Sequence, residues 1–212
     1  AIVVARAAVA HAGVSCAAPT GAEPRLGAID GHARLEWIDH RLAHEAPRMS
    51  LWNWGWGIGI GAAGVGTLIA VPFVNPADRI DYYTGAGAAA IGVLPFVISP
   101  PRVIADSREL HAQLVGAPPR NDAEVCGLLS DAEQRLVRDA RNERATTAWW
   151  AHVGNALFNT AIVLFEGLGF NRWTGGLING ISGAVVGEAV IFTQPTGTIH
   201  DLAAYNRGDL NQ

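Results

Sequence analysis

Residues 51–74 read LWNWGWGIGIGAAGVGTLIAVPFV, and the uncharged run around them extends from Met49 to Ala77. After Asn53 the stretch is apolar or small on every side. A helix of about 20 residues covers the roughly 30 Å hydrocarbon core of a bilayer, so this segment is long enough to cross with tilt to spare. A helix packed into a water-soluble bundle keeps a polar stripe; this one has none. Its glycines would weaken a helix in water by about 1 kcal/mol each against Ala, whereas membrane helices use Gly for close contact. The segment therefore reads as a transmembrane span.

Three further stretches follow the same pattern. Tyr82 to Pro101 is uncharged, Ala145 to Asn171 carries only Glu166, and Trp173 to His200 carries only Glu188. The expected spans are about 51–74, 82–99, 148–170 and 174–194. Aromatic rings collect at their ends: Trp52, Trp54 and Trp56, then Tyr82 and Tyr83, then Trp149 and Trp150, then Phe170 and Trp173. Amphipathic rings settle at headgroup level. The links Asn75–Asp81 and Asn171–Trp173 are too short for anything but tight reversals. The expected fold is an all-α polytopic membrane protein, four transmembrane helices arranged as two hairpins with amphipathic helices on the cytoplasmic side.

Composition agrees. Of 212 residues, 50% are hydrophobic and 16% charged, against about 25% charged in soluble domains. Mean hydropathy is +0.19. These values exclude a disordered chain, and two cysteines exclude a disulfide-dense scaffold. A net charge of −4 argues against a nucleic-acid partner. Cys16 and Cys126 form no metal spacing and are expected to be inert thiols.

Arginine sets the expected orientation. The longer segments hold Arg25, Arg34, Arg41, Arg48, Arg102, Arg108, Arg120, Arg135, Arg138, Arg141, Arg144 and Arg207; the short links hold only Arg79 and Arg172. The positive-inside rule then places the long segments and the termini in the cytoplasm, with the chain in the inner (cytoplasmic) membrane. The N-terminus argues the other way. AIVVARAAVAHA is apolar and ends in Ala10-His11-Ala12, a small-x-small pattern like a signal-peptidase site, although no basic leader precedes it and Arg6 interrupts it. A cleaved signal would place residue 17 onward outside.

The expected organisation is an apolar arm and flexible lead-in (1–29), a first helix-plus-hairpin unit (30–115) and a second (116–212). Ordered matches suggest one unit used twice: Tyr83-Thr84-Gly85 with Trp173-Thr174-Gly175, Trp52 and Gly57 with Trp149 and Gly154, and Pro100, Ile104 and Asp106 with Pro195, Ile199 and Asp201. Outside the spans, helices are expected over 31–48 (capped by Asp30, ended by Pro47), 103–114, 130–146 (a capping box from Ser130 to Glu133, running on into span three) and 199–206, with a loop at 116–122.

Polar residues within the spans are the candidate site. Glu188 lies in GAVVGEAVIF, where a carboxylate normally faces protein or water. Gly176, Gly180 and Ala184 lead to it at four-residue spacing, with Asn179, Gly183 and Gly187 beside them. His152, Asn155 and Asn159 share one face of span three, and Glu166 lies toward its outer end, where it could snorkel to water. Gly57, Gly61, Gly176, Gly180, Gly183 and Gly187 are the expected helix-packing positions. Glu36, His40 and His44 recur every four residues, but a solvated face accounts for them better than a metal does. No cofactor is implied. The Gly pattern of span one lacks the preceding strand that a nucleotide loop requires.

The leading expectation is a structural or accessory membrane subunit, not an enzyme, whose partners are the bilayer and either other membrane subunits or its own copies. The alternative is a small transporter or channel using Glu188 and the polar residues of spans three and four.

Overall fold

The structure is a computed structural model that describes residues 13–210; the signal-like stretch ending at Ala12 lies outside them. Eight helices follow in order: α1 (Pro24–Gly27), α2 (Gly31–Ala70), α3 (Arg79–Ile98), α4 (Val103–Gly116), α5 (Asp122–Thr146), α6 (Trp149–Phe170), α7 (Trp173–Thr193) and α8 (Gly197–Asn206). Short 3-10 turns at Val71–Phe73 and Pro76–Asp78 join α2 to α3. Among the described residues there is no strand. Four helices are long and apolar enough to cross a membrane, and each contains one expected span. Leu51, Ile58, Val65, Ile69, Leu157, Leu168, Ile181 and Phe192 are all exposed. That surface suits lipid and would be costly in water.

At one end of the spans lies a helical cap. It is built from the N-terminal half of α2, from α4, α5 and α8, and from the chain before α2. Its core joins Leu26, Leu35, Ile38, Leu42, Leu110, Val125, Leu129, Leu136 and Tyr205, so both halves of the sequence contribute. At its centre Arg34 is fully buried. Its Nε donates to Tyr205 Oη at 3.0 Å, Nη1 to the Cys16 carbonyl at 3.0 Å and Nη2 to the Ala17 carbonyl at 3.3 Å. Nη2 also pairs with Glu133, which accepts a further bond from the Tyr205 hydroxyl. One cation thereby ties the N-terminal segment to α2, α5 and α8.

Several local expectations are corrected. Pro47 does not end its helix; α2 continues unbroken through it into span one. A proline inside a helix costs about 3 kcal/mol, and burial of Leu42, Ala46, Met49 and Asn53 on both sides of it outweighs that cost. α5 begins at Asp122, where Asn121 Oδ1 accepts from Glu124 N at 2.9 Å, and Ser130 lies inside the helix. α5 does not run into span three: it stops at Thr146, and Ala148 is extended before α6. Within the lead-in over 17–29, Leu26 is wholly buried in the cap core, while much of the rest of the segment is exposed.

The cysteines are also corrected. Cys16 and Cys126 form a disulfide, with Cα atoms 5.4 Å apart across a sequence separation of 110. Backbone bonds bring them together: Val14 N donates to Asp30 Oδ2 at 2.5 Å, and Gly31 N donates to the Val14 carbonyl at 2.7 Å. These bonds fix residues 14–17 against the start of α2, where Val125 of α5 also packs. Closing so long a loop is worth about 2–4 kcal/mol, by restricting the unfolded chain. Replacing both cysteines with Ser should destabilise the cap by that amount in a denaturant titration in detergent. Adding a reductant to the unaltered chain should reproduce the effect.

Candidate functional site

α6 and α7 lie side by side and antiparallel. The reversal between them is made by Asn171, the non-glycine residue with positive φ (56°) among those described. Asn tolerates this left-handed conformation, and the next amide, Arg172 N, returns to the Glu166 carbonyl at 3.0 Å. The small residues of α7 then face α6. A Cβ at Gly180 would overlap the Val163 side chain and sit 2.9 Å from the Asn159 carbonyl; at Gly176 it would meet the Val163 carbonyl at 2.9 Å. Gly183 and Gly187 make room for the side-chain oxygens of Asn159 and Asn155. In the other pair of spans Gly57 faces Phe96 and Gly61 faces Val93. All six packing glycines named from the sequence thus face inward, within the chain.

The polar residues fall into two clusters. In the first, at the cap end, His152 Nδ1 lies 2.6 Å from Glu188 Oε2 and Asn155 Nδ2 donates to Glu188 Oε1 at 2.9 Å. Asn155 also reaches the Ala184 carbonyl at 2.9 Å, and Asn159 Nδ2 donates to Asn155 Oδ1 at 2.8 Å and to the Asn155 carbonyl at 2.9 Å. Glu188 is five residues from the end of α7, about 7.5 Å along the axis. It therefore sits midway between the centre of its helix and the cap end, close to the level of Trp52 and Trp56, whose indole N–H groups donate to the Val190 carbonyl (3.2 Å) and Thr193 Oγ1 (2.9 Å).

The second cluster lies at the opposite end. Glu166 is wholly buried and does not snorkel. Asn179 Nδ2 donates to Glu166 Oε1 at 2.7 Å and to the Asp81 carbonyl at 2.8 Å. Beside it Arg172 donates to both oxygens of Asp81, at 3.1 and 2.6 Å, and to Asp78 at 2.5 Å. Sequence reasoning missed Asp78, Asp81 and Arg172 as a bridge between the two short links, because they are remote in sequence and each looks like an ordinary interfacial charge.

Between the clusters, Val163 is packed against Gly176 and Gly180. The six candidate residues therefore fall into two hydrogen-bonded clusters with Val163 between them. Asn159 Oδ1 and Glu166 Oε2 are buried without a donor. Among the described residues no group of three His, Cys, Asp or Glu converges as a metal cage; His44 instead lies 3.1 Å from Glu45, through Nδ1. No protein-family profile, no curated protein and no solved structure matches the chain.

Interhelical hydrogen bonds in bilayers average about 0.6 kcal/mol and reach about 1.7. Asn155→Ala should therefore weaken the α6–α7 pair by about 1 kcal/mol in a reversible unfolding assay in bicelles. Gly180→Leu, which forces backbones apart, should cost more, about 1–3 kcal/mol.

Proposed function

We propose that the chain is a non-catalytic membrane subunit. In this reading two transmembrane hairpins, related by duplication, carry a helical cap and pack in the bilayer against a second copy or against other subunits of a complex. The observation that carries it is how the polar groups are used. Those of α6 and α7 bond largely to one another, and the buried arginines of the cap, Arg34 and Arg135, pair within the cap. What faces outward from the spans is mostly apolar side chain, with the His152–Glu188 pair about a third exposed among it, together with Gly55, Gly59 and Gly66 of α2, each with open space where a Cβ would be. That surface offers packing rather than chemistry.

We further propose that the cap lies on the extracytoplasmic face. Two features support this over the side expected from arginine count. A structural disulfide persists in an oxidising compartment. The cap arginines are also engaged in folding it: Arg25 with Asp209, Arg34 with Glu133, Arg41 with Asp201, Arg135 with Asp106, Glu109 and Asp131, and Arg138 with Asp106. These five of the twelve arginines counted thus answer to the fold of the cap.

A transport reading draws on one observation, the unpartnered Glu166 Oε2 and Asn159 Oδ1 facing the α6–α7 seam. Reconstituted liposomes separate the two readings. The subunit reading expects proton and cation flux no greater than in empty vesicles, and cross-linked species in native membranes that Gly59→Leu diminishes. Flux abolished by Glu188→Gln or Glu166→Gln would overturn it. For sidedness, alkaline phosphatase fused after Gly208 should be active and a fluorescent-protein fusion at the same point dark.

A further inference from the structure

Where the cap meets the ends of the spans, α5 presents two carboxylates one turn apart. Asp139 is 2% exposed and Glu143 3%. Both oxygens of Asp139, and Oε1 of Glu143, lack a hydrogen-bond donor. The two side chains line a partly open pocket of about 10 Å³, together with Met49 of α2, Pro101 before α4, Val103 at its start, Asn142 of α5 and Gln194 after α7. That is room for about one water. A buried carboxylate without donors is costly as an anion and is commonly relieved by taking up a proton.

Arg138, on the same helix, is the cation that faces Asp139, and it is shared with Asp106. From α4, Asp106 approaches Asp139, but its oxygens already accept from Arg135 (3.3 Å) and Arg138 (2.6 Å). Arg135 is also shared with Glu109 and Asp131. Arg102 lines the cavity. From α2, Glu45 faces Glu143 and is itself paired with His44 and Arg48; Arg41 is engaged with Asp201. From α8, Ile199 N donates to Glu143 Oε2 at 3.3 Å, with Thr198 adjacent and His200 and Asp201 beyond.

We propose that Asp139 is a proton-binding site: its protonated carboxyl donates to Asp106 across the α4–α5 contact, and losing that proton sets two like charges against each other where the cap joins the spans. Glu143, one turn on, is a second and weaker site of the same kind.

Burial and the neighbouring Asp106 push Asp139 up to about 8, and burial pushes Glu143 up to about 7. For an acid raised in the folded state, the stabilising contribution is complete below its unfolded value and is lost as pH rises through the folded one. The cap should therefore loosen progressively from about pH 4 and reach its least stable state by about pH 8.

The test uses the full chain in nanodiscs. Infrared spectra at about pH 6 should contain a protonated-carboxyl band that disappears by about pH 9, and the unfolding temperature should fall over the same range. Asp139→Asn, which can still donate to Asp106, should remove that band and flatten most of the fall; adding Glu143→Gln should remove the rest. A band unaffected by Asp139→Asn, or an unfolding temperature equal at both ends of the range, overturns the proposal. So does stability set by added calcium or sodium at constant pH. If Asp139→Asn does not fold, Glu143→Gln combined with Glu166→Gln removes the other two acids that are 3% exposed or less. A titrating band that survives in that variant supports the site, and its absence overturns it.

Discussion

A hydrocarbon environment supplies no hydrogen bonds, and most of this structure follows from that constraint. Within the spans every backbone amide must be satisfied by helix, and each polar side chain must find its partner inside the protein. Asn155 and Asn159 reach carbonyls, another amide and Glu188; Asn179 reaches Glu166 and the Asp81 carbonyl. Such bonds need close backbones, which is why the residues facing them are Gly183, Gly187 and Gly180 rather than larger ones. The asparagines and glycines of α6 and α7 are two sides of one packing solution.

The cap solves a different problem. It sits where water is available, yet it buries a full arginine and several carboxylates. Arg34 is stabilised by Tyr205, Glu133 and two carbonyls together; removing any one partner would leave charge in a low-dielectric setting. The disulfide staples the same region, since Cys16 carries one of the carbonyls that Arg34 binds. Asp139 departs from this economy. It is as buried as the others and lacks their donors.

The four spans were legible because an uncharged run of sufficient length has one physical meaning. Their limits fell within a few residues of α3, α6 and α7. Expectations failed where local signals competed with packing. Pro47 and Ser130 are ordinary stop and start signals, yet both lie inside helices whose buried faces continue past them. The candidate polar residues were all identified, but not their grouping. Periodicity places His152, Asn155 and Asn159 on one face of a helix and cannot say that Glu188 lies opposite, nor that Val163 lies between them and Glu166.

The sequence by itself determined that this is an all-helical chain with four helices able to cross a membrane, because charge depletion over about 20 residues is a property of composition and order alone. Only the tertiary structure decided which groups meet: Cys16 with Cys126, Arg34 with Glu133 and Tyr205, Arg172 with Asp78 and Asp81, and Asp139 with Asp106. Each pair is separated by tens of residues or more, and each depends on helices converging from both halves of the chain. Packing supplies that information; local pattern does not carry it.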